Sequence, residues 1–310
     1  MILESILKIT STLLISATVV GIGGPVLTEM VSTAAPFFGK SANKAPVVLG
    51  LNYESVSFQT SDGITLRGWF FPSDTPQSPA ILYAPSTAND QRSGLSLVKP
   101  LHEAGYSVLL FSYRGYGQSD GDPLGFSYGA RESLDVDAAA SYLHDIQGAS
   151  AIGAIGHSAG AVAIILSAAR NLQIDAVVAA SPYNSVEEIW NTNRPKAIPT
   201  PIFDFVMQTS ELRKGFDRSQ VRPVDVIGQI APRPILIIHG MKDQRITEEQ
   251  ALELVGQAGE PKEMWWMGGL THAEVRSIGI ENHFGEIIQF FNQAMDVSQA
   301  FFPTSYLSTS

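Results

Sequence analysis

The stretch Ala151-Ile152-Gly153-Ala154-Ile155-Gly156-His157-Ser158-Ala159-Gly160 decides how this chain is read. Its first half is short, apolar and glycine-bounded, as a strand buried on both faces should be. Residues 161–170, rich in Ala, Ile and Leu, run on to Arg170 and Asn171 and suit a buried helix. Between the two, Gly156-His157-Ser158-Ala159-Gly160 fits G-x-S-x-G, the pattern of a serine raised on a sharp strand-to-helix turn. Neighbours two positions away crowd against such a serine, so glycine suits both flanks. A helix beginning at Ala159 aims free N–H groups at the place where an oxyanion would form. Five letters recur by chance, so the strand before and the helix after supply the weight. The expectation is a nucleophilic Ser158; the plain alternative is a turn serine.

Outward from this turn the chain alternates strand and helix. Residues 53–60 alternate as a half-exposed strand, Ser61-Asp62-Gly63 signals a turn, and residues 64–72 return as the second arm of a hairpin. Apolar strands are expected at 80–84, 106–113, 176–180 and 234–239, with a last strand at 262–267. Helices are expected at 94–104, 128–146, 248–256 and 279–295. The segment 181–233 has no strand signal and carries Pro182, Pro195, Pro199, Pro201, Pro223 and Pro232. It reads as an insertion, or small cap, between the sixth and seventh strands. The class predicted is α/β, a mostly parallel doubly wound sheet with an antiparallel start.

A serine hydroxyl needs a base, and the base needs an orienting group. Strand ends are the places to look, in the order serine, acid, histidine. After the strand ending at His239 comes Asp243; after the strand ending at Met267 comes His272. Asp243 is the predicted acid and His272 the predicted base. The plain alternatives are a helix-capping or turn aspartate and an exposed loop histidine. Other histidines fit less well: His283 inside the closing helix, His102 and His144 ahead of the serine, His157 adjoining it, His239 as buried support. The first oxyanion donor is the Ala159 N–H. The second should come from Pro85-Ser86-Thr87-Ala88-Asn89-Asp90, with the Thr87 N–H the choice.

At these residues the chain resembles the α/β-hydrolase superfamily, and within it the bud-emergence-type serine hydrolases. The resemblance runs from about Val56 to Phe291. It is carried by residues 112–121 (SYRGYGQSDG), the turn Gly156–Gly160, Ser181-Pro182-Tyr183, residues 234–240 with Asp243, and Gly269-Leu270-Thr271-His272. It implies the α/β-hydrolase fold and hydrolysis of ester, thioester or related acyl bonds without a cofactor. The group usually shows His-Gly-Asn after the third strand, where this chain has Pro85-Ser86-Thr87. A non-catalytic, membrane-tethered binding protein, a serine peptidase and an acyltransferase are the other readings of the same fold.

The 310 residues suffice for one large domain. The organisation expected is an N-terminal hydrophobic segment and linker at 1–44, the hydrolase domain at 45–297, and a flexible tail at 298–310. A net charge of −10 and the absence of any basic run argue against a nucleic-acid partner. With no cysteine there are no disulfides, thiolate metal sites or thiol nucleophile. No metal-ligand cluster is evident. Ile9 to Thr28 is uncharged and long enough to span a bilayer. It reads as a membrane anchor, as a signal peptide cleaved near Ser32-Thr33-Ala34-Ala35, or as a buried helix. The partner expected is a small-molecule or lipid acyl substrate. Tyr183, Trp190, Phe203, Phe205 and Phe216 suggest an apolar acyl pocket, or the packing of the cap onto the domain.

Overall fold

The computed structural model describes residues 50–121 and 125–295. The expected anchor, linker and tail lie outside the described residues. Eight strands form one sheet in the order β1-β2-β4-β3-β5-β6-β7-β8. β1 (Glu54–Gln59) and β2 (Thr65–Phe71) make the antiparallel hairpin, and β2 pairs antiparallel with β4 (Ser107–Ser112). β3 (Ala80–Ala84), β5 (Ile152–His157), β6 (Ala176–Ala180), β7 (Ile235–Gly240) and β8 (Lys262–Met267) complete a parallel array with β4. Every residue of β3 to β7 is buried, because crossover helices cover both faces. That is why these strands read as continuous apolar runs rather than as alternation.

The helices are α1 (Leu95–Glu103), α2 (Glu132–Ser141), α3 (Ala159–Ala168), α4 (Val186–Asn193), α5 (Thr200–Lys214), α6 (Glu248–Gln257) and α7 (Phe284–Ala294), with shorter turns between them. α3 is buried along its whole length, packed on the strand before it and on α2. Its Ala and Gly residues permit that close approach. α4 and α5 lie in the segment 181–233 and form the expected cap.

Two helix boundaries correct the sequence expectation. α2 starts at Glu132 rather than Tyr128, because the Glu132 carboxylate folds back to accept from the N–H groups of Ser127 and Gly129 at 2.9 Å each and from Ser127 Oγ at 2.6 Å. Tyr128 sits there at φ 58°, outside helical space. The closing helix starts at Phe284, not Gly279. His283 stands at its N-terminus with φ −119°, and its ring Nδ1 is 2.8 Å from the Gly279 carbonyl oxygen. The segment 275–282 ahead of it is a wide turn and a short helical turn. Among the described residues no helix is long and apolar enough to cross a membrane.

Candidate active site

Ser158 occupies φ 56° and ψ −124°, a backbone region that L-residues rarely adopt. Its neighbours explain how it is held. The Ser158 N–H donates to the Ala180 carbonyl at 2.8 Å, and the Ser181 N–H to that of Ile238 at 2.7 Å, so the ends of β5, β6 and β7 are laced together. A Cβ at Gly160 would collide with the carbonyl oxygens of Ala84 and Pro85. One at Gly156 would come within 2.8 Å of the Gly160 carbonyl carbon. Glycine on both flanks is therefore a packing requirement.

The loops after β7 and β8 are zipped to each other. Met241 N–H donates to the Met267 carbonyl at 3.0 Å and Lys242 N–H to the Leu270 carbonyl at 2.9 Å. Asp243 and His272 thereby meet: His272 Nδ1 lies 2.7 Å from Asp243 Oδ2, and His272 Nε2 lies 3.0 Å from Ser158 Oγ. The structure thus brings together the three side chains that the sequence singles out. The helix-cap alternative for Asp243 fails because Thr247 caps α6. Asp243 instead accepts the N–H groups of Arg245 and Ile246 with Oδ1, at 2.9 and 3.0 Å, leaving Oδ2 for the imidazole. Burial pushes the Asp243 carboxyl upward, but the His272 hydrogen bond and charge and these backbone donors outweigh it and hold it below the usual carboxylate range. A hydroxyl facing an imidazole, itself seated on a carboxylate, can pass its proton to that ring.

His157 does more than the sequence suggests. Its Nε2 donates to the backbone carbonyl of His272 at 2.8 Å, tying the serine turn to the loop that carries the imidazole. Burial, followed by the nearby His272, drives its pKa down to about 3, so the ring is neutral. The local clue was only the identity of the second residue in G-x-S-x-G, and its partner lies 115 positions away. Thr271 adds a second constraint: its N–H and hydroxyl donate to Glu274 at 2.8 and 2.7 Å, winding the chain into a helical turn at His272. The other histidines act elsewhere, His239 near the Ile246 carbonyl, His102 near that of Pro72, and His144 beside Asp145.

A cavity of about 1470 Å³ opens over Ser158. Ser86, Thr87 and Ala159 line it, together with Asn89. Pro85-Ser86-Thr87 departs from His-Gly-Asn without opening the loop: Asn89 N–H donates to the Ser86 carbonyl at 3.1 Å, and its side-chain amide to Ser86 Oγ at 2.9 Å and Thr87 O at 3.0 Å. The cap contributes Ile189, Trp190, Ile198, Phe203, Val206 and Met207. Of the five aromatic residues expected there, Tyr183, Trp190 and Phe203 line the cavity. Phe205 is 55% exposed, and Phe216 is buried behind Tyr128 and Trp190. Among the described residues no cluster of His, Asp and Glu could hold a metal ion.

This strand order, with a cap after the sixth strand and the polar side chains on strand-end loops, defines an α/β-hydrolase fold. Residues 94–297 match the prolyl oligopeptidase family, and the chain belongs to that family as an α/β-hydrolase of the bem46 type. It is a hydrolase. It is 30% identical over 223 residues to protein Rv2307c of Mycobacterium tuberculosis, covering 70% of this chain and 71% of that one. It is 29% identical over 223 residues to protein bem46 of Schizosaccharomyces pombe, covering 70% and 69%. Among solved structures, the Pyrococcus furiosus esterase Pf2001 superposes with a TM-score of 0.69 at 23% identity, over 85% of this chain and 97% of that one. At that identity the likeness speaks for the fold.

Proposed function

We propose that the chain is a serine hydrolase that cleaves carboxylic ester or thioester bonds through an acyl-enzyme. The observation that carries the reading is the relay Ser158 Oγ, His272 and Asp243, at 3.0 and 2.7 Å, on the floor of a cavity with an apolar wall. Ser158 Oγ attacks the acyl carbonyl as His272 Nε2 takes its proton. Asp243 holds the ring by Nδ1 and stabilises the imidazolium. The N–H groups of Ala159 and Thr87 receive the oxyanion. The imidazolium then gives its proton to the leaving oxygen or sulfur, and the bond to the carbonyl breaks. Water, activated by the same ring, releases the acid and restores Ser158.

A fluorophosphonate probe tests this directly. It should label the wild type and leave Ser158→Ala unlabelled; equal labelling of both would end the idea. The family to which the chain belongs is named for a peptidase, so a prolyl peptide amide should be assayed beside a para-nitrophenyl ester series. The apolar cap wall favours the esters. Faster turnover of the peptide would replace the ester reading with the peptidase one. Labelling without turnover of any substrate would favour a binding protein.

A further inference from the structure

The cavity is lined by two kinds of side chain. Ile189, Trp190, Ile198, Phe203, Val206 and Met207 of the cap are apolar, and Lys242, Arg245 and Arg276, from the loops after β7 and β8, are cationic. The chain carries 30 acidic and 20 basic residues, so most cations can find a carboxylate. Arg67, Arg92, Arg114, Arg170, Arg218 and Arg222 each hold one at 2.7 Å or closer, and Arg131, Arg194 and Arg233 donate to backbone carbonyls instead. Among the described residues no carboxylate pairs with Lys242, Arg245 or Arg276, although the Glu274 carboxylate feels the Lys242 charge from further off.

Arg276 is the informative one. Lys242 and Arg245 are exposed, but Arg276 is half-buried. It follows His272 by four positions on the same turn of chain, and its guanidinium acts on both the Tyr83 hydroxyl and the His157 ring. A guanidinium that lines the cavity and has no carboxylate partner is open to an anion bound there. Its position says which part of a substrate it would meet. The leaving group takes its proton from His272 Nε2, so its remaining atoms extend over the His272 turn. The acyl group is left to the apolar wall.

Resting on the serine-hydrolase reading above, we propose that the natural substrate is an acyl ester or thioester of divided character. Its acyl part is apolar and held by the cap. Its leaving group bears an oxyanion, carboxylate or phosphate, bound by Arg276 with Lys242 and Arg245 at the rim. The chemistry is unchanged: the Ser158 Oγ–acyl bond forms, the carbonyl–oxygen or carbonyl–sulfur bond breaks, and the proton passes through His272 to the departing anionic alcohol or thiol.

Three hexanoyl esters and one adipoyl ester test this on the full chain. Two carry the charge on the leaving group, the hexanoyl esters of para-hydroxybenzoate and of para-hydroxyphenyl phosphate. One is neutral, the hexanoyl ester of para-hydroxyacetophenone. In the fourth, the para-acetylphenyl monoester of adipic acid, the leaving group is that of the neutral ester and the charge sits on the acyl side. We expect kcat/KM for at least one leaving-group anion to exceed that for the neutral ester by about tenfold, and added salt to erode the ratio. The better of the two anions identifies carboxylate or phosphate as the group recognised. Arg276→Gln should bring the ratio to about one, and Arg276→Lys should restore part of it. A wild-type ratio near one, or a preference for the adipate monoester, overturns the proposal; if fluorophosphonate labelling persists, the hydrolase reading survives. No labelling and no turnover of any of the four would instead remove the serine-hydrolase reading and this proposal with it. Should Arg276→Gln fail to fold, the wild-type ratio and its salt dependence still decide.

Discussion

Asp243 is held so tightly by the backbone of its own turn that its free oxygen can point only at His272. Asp243→Asn keeps the shape but removes the charge that fixes the ring's tautomer, and kcat should fall roughly a thousandfold or more in an ester assay. His157 yields a stability prediction. Its ring pKa drops from an ordinary value near 6.5 to about 3 because burial disfavours the cation. The unfolded chain therefore binds more protons across that window, so this ring's stabilising effect is complete above about pH 6.5 and is lost as pH falls toward 3. His157→Gln keeps an N–H for the His272 carbonyl but cannot titrate. Its melting temperature, followed by circular dichroism, should fall less steeply between about pH 6.5 and 4 than that of the wild type. His239, also depressed by burial, retains part of the slope.

At the scale of elements, the serine turn works because three strand ends and one loop are packed against it. Gly160 faces the backbone of the β3 loop, which cannot yield as a side chain would. Gly160→Ala should cost about 1–3 kcal/mol in urea unfolding and displace the Thr87 loop, so activity should fall by more than stability alone explains. The cap makes a separate contribution. Met207 on α5 lines the cavity. Met207→Trp should fill part of that space and lower kcat/KM for long acyl esters by about tenfold, leaving short ones less affected. An acyl chain-length series measures this.

For the whole molecule, Arg114 of the segment 112–121 joins parts distant in sequence. Its backbone N–H and its Nε each donate to Asp135 on α2 at 2.9 Å, and its Nη2 donates to Asp62 in the hairpin turn at 3.0 Å. The Arg114 and Asp135 side chains are 4% and 0% exposed. Removing one partner leaves a buried charge without its counter-ion. Arg114→Ala should therefore lower the unfolding free energy by about 3 kcal/mol or more, read from the urea midpoint. The hairpin, distant from Ser158, is thus fastened to the same helix whose first turn sets the Tyr128 loop over the cavity.

The order of elements, the serine turn and the identities of Ser158, Asp243 and His272 were legible in the linear chain. Buried strands must be apolar throughout, and a strained turn must be flanked by glycine, so both leave local marks. The ends of the helices beginning at Glu132 and Phe284 were not, because a side chain folding back on its own loop and a histidine contact set them. The clamp from His157 to the His272 carbonyl, the meeting of apolar cap residues and three cations in one cavity lining, and the exposure of Phe205 rather than its burial came only with the fold. The clamp and the cavity lining bring together segments from different strand ends and the cap. Those contacts follow from the order in which strands pair, and no short window of residues encodes that order.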